Sequence, residues 1–296
     1  MPKSVSLILS SGGSKGLAQI GVIKELEQHG FKIHSVSGSS IGSVIGGLYA
    51  MDKLPEFTAW VKTLDRKTVW GLMDFTISTN GLLKGVRVLQ KMKTFIPDVN
   101  IEEMRIPFSA IATDILNEKV EVLNSGSFYE AIRASVAIPT LMTPVISGDK
   151  ILVDGAVLSP IPIEYVTRQP GDILVVVNLY GEKKNDLSES TSTGNEQKKV
   201  NPYNLLKNIT KFIDSGDKRS MWYFSLLKAT TMSMIHKIAQ QTIEKFHPDI
   251  LINIPYDAAD TLDFYKAEEL IKLGEDIADK AITGYLKRNA IRRIVI

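Results

Sequence analysis

Twice within its first fifty residues the chain passes from a short apolar run, through a turn of glycine and serine, straight into residues with helical periodicity. Val5 to Leu9 leads through Ser10 to Gly16 into Leu17 to Gln28, and Ile33 to Ser37 leads through Gly38-Ser39-Ser40-Ile41-Gly42 into Ile41 to Met51. Two strand–turn–helix units in succession predict a βαβα start with parallel strands, which is the beginning of an α/β fold. In the second turn Ser40 stands in a G-x-S-x-G pattern. Small residues around the serine let the backbone bend sharply from strand to helix and present the hydroxyl above the sheet. Side chains at Gly38 and Gly42 are expected to clash there. Ser40 is thus a candidate nucleophile, although the same five letters also suit an ordinary Gly/Ser loop, and the rest of the chain has to decide.

Downstream, Pro55 to Ile96 reads as mostly helical, broken at Gly71, Gly81 and Gly85, and suits a cap or side layer. Phe108 to Thr113 and Lys119 to Leu123 read as strands. Ser127 to Ser135 reads as a helix with a serine cap that stops before Pro139. Further strands are expected at Thr143 to Ile146, Lys150 to Val153, Ile173 to Val177 and Ile250 to Ile254. Tyr203 to Phe246 reads as long helical segments broken near Asp214 to Asp217, and a last helix runs from about Ala267 to Lys287. Residues 182–200 are dense in Ser, Thr, Asn, Glu and Lys, which predicts a mobile loop. With 296 residues, 44% of them hydrophobic, the expectation is one domain over 1–296, carrying that loop and an inserted helical segment at about 201–231.

Composition removes several function classes. The 35 basic and 33 acidic residues leave a net charge of only +2, without the basic footprint of a nucleic-acid binder. No cysteine is present, so disulfides, thiolate metal sites and cysteine nucleophiles are excluded, and a reducing compartment fits. His29, His34, His236 and His247 show no H-x-x-x-H spacing, and neither metal nor cofactor is expected. The apolar run at the amino terminus is too short for a signal sequence and no run of about 20 apolar residues occurs, so the expected location is cytoplasmic, with peripheral membrane contact left open. For such contact, Leu205, Leu206, Ile209, Phe212, Ile213, Met221 to Phe224, Leu226 and Leu227 lie beside several lysines. That stretch suits an interfacial helix, and it equally suits an apolar face packed on the domain or on a second subunit. The oligomeric state is not legible.

Two further pieces bear on chemistry. The loop Ser10-Ser11-Gly12-Gly13-Ser14-Lys15-Gly16 lies between strand and helix, where free N–H groups and the helix dipole favour an anion: a phosphate or an oxyanion. The letters fail both G-x-G-x-x-G and G-x-x-x-x-G-K-[ST], and where a dinucleotide fold needs an acid after its second strand this chain has the Ser40 turn. An oxyanion hole is favoured. Lys15 is assigned either to a lipid phosphate or to solvent. Asp154-Gly155-Ala156 follows the apolar run Ile151 to Val153 and places an acid at a strand end. Asp154 is a candidate acceptor for the Ser40 proton, or one half of a common Asp-Gly turn.

Together these residues resemble the bacterial patatin-like phospholipases, relatives of the plant patatins and of the catalytic region of neuropathy target esterase. Leu9 to Val22 is similar to the family's oxyanion loop and first helix, and Val36 to Gly42 to its nucleophile elbow. Ala134-Ser135-Val136-Ala137-Ile138-Pro139 is similar to its A-S-x-A-x-P signature, and Asp154-Gly155-Ala156 to its D-G-[GA]. Leu262-Asp263-Phe264 and the residues after it resemble its closing helix. The resemblance covers nearly the whole chain outside about 182–231. It implies a three-layer α/β/α fold with a mainly parallel central sheet, and a Ser40–Asp154 dyad without a histidine base. It also implies an oxyanion hole of backbone N–H groups at Gly12, Gly13 and Ser14, and cleavage of phospholipid or other lipid acyl esters, with carboxylesterase activity alongside. The family usually has three consecutive glycines where this chain has Ser11-Gly12-Gly13; if that first position needs positive φ, Ser11 is strained by about 1 kcal/mol or more. The alternative is a lipid-binding or regulatory protein that keeps the fold with negligible turnover.

Overall fold

The computed structural model describes residues 3–78, 81–83, 85–183 and 218–294. The chain opens as expected, with β1 (Lys3–Leu9), α1 (Ala18–Gln28), β2 (Phe31–Ser39) and α2 (Ile41–Ala50). A cap follows, made of α3 (Leu54–Val61), α4 (Arg66–Leu72), an antiparallel hairpin of β3 (Phe75–Ser78) and β4 (Gly81–Leu83), and α5 (Val86–Lys93). The chain then returns to the sheet through β5 (Phe108–Asp114), β6 (Lys119–Leu123), α6 (Phe128–Ser135), β7 (Val145–Ser147) and β8 (Lys150–Asp154). It finishes with β9 (Ile173–Gly181), α7 (Lys218–Phe246), β10 (Ile250–Pro255) and α8 (Ala267–Ile294).

The hairpin departs from the helical expectation for Pro55 to Ile96. Phe75, Thr76 and Ile77 of β3 and Leu82 and Leu83 of β4 are β-branched or apolar residues that suit a strand, and β3 pairs with β4 from Phe75 with Leu83 to Ser78 with Gly81. All but the first two residues of the expected mobile loop, and 201–217 of the expected inserted segment, lie outside the described residues; 218–231 is the first half of α7.

The main sheet runs β10-β9-β1-β2-β5-β8-β7, with β6 also paired to β5. The pairs from β10 to β5 are parallel, whereas β8, β7 and β6 join antiparallel. Side chains of a strand alternate between faces, and here they sort into two layers. Val5, Leu7, Leu9, Val175 and Val177 pack with α1, α2 and α8, while Ile8, Leu174 and Val176 pack with Ile161, Ile163 and Ala239 of α7. The result is a three-layer α/β/α fold whose central strands, buried on both faces, read as almost continuous Val, Ile and Leu.

Two details of register position the site. Leu9 pairs with Gly38, so the two Gly/Ser turns leave the sheet side by side at the carboxyl ends of β1 and β2, where open α/β sheets bind ligands. β6 occupies one edge of β5 along Ala110 to Asp114, so β2 and β8 share the other edge. Along that edge Ser39 pairs with Ile111 and Asp154 with Ala112. β2 ends where β8 ends, and Ser40 therefore steps off the sheet beside Asp154.

Candidate active site

Ser40 sits between β2 and α2 with φ 54° and ψ −124°, a backbone that non-glycine residues rarely adopt and that costs of order 1–3 kcal/mol. The bend needs bare backbone around it. A Cβ on Gly38 would lie 2.2 Å from the Gly42 carbonyl oxygen, and one on Gly42 would lie 2.1 Å from that of Leu9. A polar clasp holds the strained residue: the Ser40 N–H donates to Ser135 Oγ at 3.0 Å, and Ser135 Oγ donates to the Ile111 carbonyl at 2.5 Å. Ser39, the neighbouring serine, is fully buried at the end of β2 beside Gly155 and plays no part in the cavity lining.

Ser40 Oγ donates to Asp154 Oδ2 at 2.5 Å, and the Ala156 N–H donates to Asp154 Oδ1 at 2.8 Å. Asp154 is 2% exposed, and burial pushes its carboxyl up from 3.8 to about 6, against the opposing pull of the Ser40 and Ala156 hydrogen bonds. Gly155 is demanded by space, since a Cβ there would lie 2.3 Å from the Ile111 carbonyl oxygen. The Asp154 N–H donates to the Ala137 carbonyl at 3.0 Å. The Ala134-Ser135-Val136-Ala137 stretch thus grips both sides of the pair, Ser40 through Ser135 and Asp154 through Ala137. The sequence offered that stretch as a signature without a task.

The glycine loop divides its labour unevenly. Gly13 takes the positive φ, 63°, while Gly12 is extended and packs so closely on Leu179 that a Cβ would lie 2.6 Å from its side chain. Ser11 carries no positive φ, so the strain considered for it does not arise. Its N–H donates to the Pro160 carbonyl at 3.0 Å and its hydroxyl bonds Tyr180 Oη. Among the described residues nothing accepts from the N–H groups of Gly12 and Gly13, and Gly13 faces the same cavity as Ser40.

Ser14 and Lys15 depart from expectation. The Ser14 N–H donates to the Thr261 carbonyl at 3.0 Å and its Oγ to that of Asp260 at 2.6 Å, so Ser14 ties the loop down and has no N–H left for an oxyanion. Lys15 is 6% exposed and absent from the cavity lining. Its Nζ donates to the carbonyls of Leu179 at 3.1 Å and Tyr256 at 3.0 Å, and burial lowers its pKa to about 8. An ammonium spent beneath the loop does not reach a lipid phosphate. Lys15→Met is expected to cost about 2 kcal/mol in a urea titration, because two buried carbonyls lose their donor, with KM for lipid substrates unchanged.

His236 reaches this cluster from α7, its ring centroid 5.0 Å from Tyr180 and 5.5 Å from Tyr256. Burial and the Lys15 charge push its pKa down. Among the described residues no histidine hydrogen-bonds Ser40 or Asp154.

Above Ser40 and Gly13 lies a cavity of about 200 Å³ walled almost wholly by hydrocarbon and aromatic side chains. Phe57 and Trp60 of α3, Val69 and Leu72 of α4, and Val88, Leu89 and Met92 of α5 come from the cap; Ile138, Leu141, Met142, Leu262 and Phe264 close the remainder. Asp74 is the acidic residue in this wall, and it is committed: its carboxylate accepts from the N–H groups of Gly85 and Val86, each at 2.7 Å, and caps α5. Away from the cavity, at the far end of α1, Glu25 and His29 stand one helical turn apart and meet Asp279 of α8, with His29 Nε2 2.9 Å from Asp279 Oδ1. This grouping of metal-capable atoms escaped a search for paired histidines. Among the described residues no helix is long and apolar enough to cross a membrane.

Residues 7–167, which hold the glycine loop, the Ser40 elbow, the Ser135 clasp and Asp154, match the family model described as patatin-like phospholipase. The chain belongs to the patatin-like phospholipase family. Among patatin-like relatives, an uncharacterised NTE family protein of Mycobacterium tuberculosis is 28% identical over 333 aligned residues, covering 95% of this chain and 92% of its own length. Lysophospholipase NTE1 of Debaryomyces hansenii is 26% identical over 96% of this chain, which spans 18% of that much longer protein. The crystal structure of VipD from Legionella pneumophila aligns with a TM-score of 0.48 and 13% identity, over 96% of this chain and 67% of its own.

Proposed function

We propose that this chain hydrolyses acyl esters of lipids as a phospholipase A or lysophospholipase-like enzyme, with carboxylesterase activity on smaller esters. The observation that carries the reading is the 2.5 Å hydrogen bond from Ser40 Oγ to Asp154 Oδ2 at the polar end of an apolar cavity. In this mechanism Asp154 takes the hydroxyl proton as Ser40 Oγ attacks the ester carbonyl carbon. The Gly12 and Gly13 N–H groups receive the oxyanion, and the leaving alcohol departs with the proton from Asp154. Water then attacks the acyl-enzyme, Asp154 takes its proton, and the fatty acid leaves as Ser40 recovers its hydrogen. The cavity's hydrocarbon wall holds the acyl chain, and no metal or cofactor enters any step. The name lysophospholipase carried by the fungal relatives points the same way. The alternative of a lipid-binding protein without turnover drew on Ser11 and on the long polar loop at 182–200; Ser11 carries no positive φ, which removes the first support, and all but the first two residues of that loop lie outside the described residues.

The test is hydrolysis of p-nitrophenyl esters of increasing chain length and of lysophosphatidylcholine, measured against pH. The active form of Asp154 is the carboxylate, so kcat/KM is expected to rise about tenfold per pH unit in acid and level off above about pH 6. Stability has the opposite slope. A carboxyl raised from 3.8 to about 6 on folding binds protons more tightly when folded, so Asp154 makes the protein less stable as pH rises through that window. An ester rate that is flat from pH 4 to 8 would remove Asp154 as the base; no hydrolysis of any ester by pure protein would remove the enzyme.

A further inference from the structure

The cap has two unlike faces. Inward it supplies most of the hydrocarbon wall of the cavity. Between Lys62 and Lys93 the sequence carries seven lysines and arginines against two aspartates, in a chain whose total charge is only +2, and Lys62, Arg66, Lys67, Arg87, Lys91 and Lys93 are exposed. Both aspartates are occupied at helix starts: Asp65 accepts from the Thr68 N–H of α4, and buried Asp74 caps α5. Lys67, Arg87 and Lys91 are exposed, and beside them Trp70 is 62% and Val86 40% exposed. Arg87 Nη1 donates to the Gly71 carbonyl at 3.5 Å, which joins the end of α4 to the start of α5 and gathers Trp70, Val86 and Arg87 into one patch.

We propose that this outer face of the cap docks on an anionic phospholipid bilayer, so that the cavity beneath it receives an acyl chain directly from the membrane. Lysines and arginines supply charge complementary to anionic headgroups, and an exposed tryptophan with an aliphatic neighbour suits the headgroup boundary. The helices that carry this face also wall the cavity: α4 exposes Lys67 and Trp70 and lines it with Val69 and Leu72, and α5 exposes Arg87 and Lys91 and lines it with Val88, Leu89 and Met92. The acyl-chain destination rests on the lipid-ester reading; the docking does not.

The experiment uses the full chain as Ser40→Ala, which cannot turn over, sedimented with phosphatidylcholine vesicles with or without about one-third phosphatidylglycerol, in about 0.05 M and 0.5 M NaCl. Binding is expected on the anionic vesicles, lost at high salt and at least tenfold weaker on phosphatidylcholine alone. Lys67→Gln with Lys91→Gln should lower the partition coefficient at least tenfold, from about fivefold per charge. Trp70→Ser should lower it several-fold on its own, and the exposed pair Lys32→Gln with Lys119→Gln should leave it unchanged. On the Ser40 background of the native chain, the Lys67/Lys91 pair should keep full rate on p-nitrophenyl butyrate, which reports an intact fold. Equal binding to both vesicle types, or anionic binding untouched by the cap variants, would overturn the proposal. Failure of ester hydrolysis by the native chain would strike the function alone, because the vesicle measurement does not depend on turnover.

Discussion

Asp154→Asn is expected to lower kcat/KM for ester hydrolysis by about three to four orders of magnitude, and Ser40→Ala to bring it to background. Asparagine keeps the shape and can still hydrogen-bond Ser40 Oγ, but it cannot take the proton that must leave as the oxygen attacks. KM should change little, since neither substitution alters the hydrocarbon side chains that wall the cavity. The same variant has an unusual consequence for stability. Asp154 is buried and its carboxyl is raised to about 6, so at pH 8 the folded protein holds a charge that the apolar surroundings disfavour. Replacing it with a neutral amide is expected to stabilise the fold at pH 8 by roughly 2–3 kcal/mol, each tenfold gain in proton affinity on folding being worth about 1.4 kcal/mol, and to give nothing at pH 4. Activity down and Tm up in one variant is the signature of a residue kept for chemistry. A variant that lost activity and stability together at pH 8 would instead mark Asp154 as a structural support.

The elements nearest the nucleophile were legible because local geometry forces their letters. Gly38 and Gly42 are needed where backbone meets backbone, and Gly155 where it meets Ile111, so sharp turns print themselves as glycines. For the meeting of Ser40 with Asp154 the letters left two readings, a proton acceptor or a common Asp-Gly turn, and the resemblance chose between them. The physical cause of that meeting is that β2 and β8 share one edge of β5, a pairing across more than a hundred residues that no periodicity records. Ser14 and Lys15 were misjudged for the same reason. Both lie in a loop that looks built to bind an anion, yet their partners are the carbonyls of Thr261, Asp260, Leu179 and Tyr256, brought in by the far end of the chain. The β3–β4 hairpin was hidden by the helices on either side of it, because its strands are only four and three residues long.

Ser135→Ala should cost both stability and rate, by a route that touches neither Ser40 Oγ nor Asp154. The Ser135 hydroxyl accepts from the Ser40 N–H and donates to the Ile111 carbonyl, and all of these lie in fully or nearly fully buried surroundings. Alanine leaves one donor and one acceptor without a partner where water does not reach, at about 1–3 kcal/mol each. The expected loss is about 2–4 kcal/mol, read as a fall in Tm of roughly 5–15 °C for a chain of this size. The Ser40 backbone is also the strained one, and the clasp is what opposes its relaxation. With the clasp gone the hydroxyl drifts from its line with Asp154, and a displacement of about 1 Å in a reacting group commonly costs up to about a hundredfold in rate. kcat is therefore expected to fall about ten- to a hundredfold at 25 °C, where the variant remains folded, with KM preserved because the acyl cavity is untouched. A Tm that falls while kcat holds would mean that β2 and α2 enforce the elbow unaided, with Ser135 serving only to satisfy their buried polar groups.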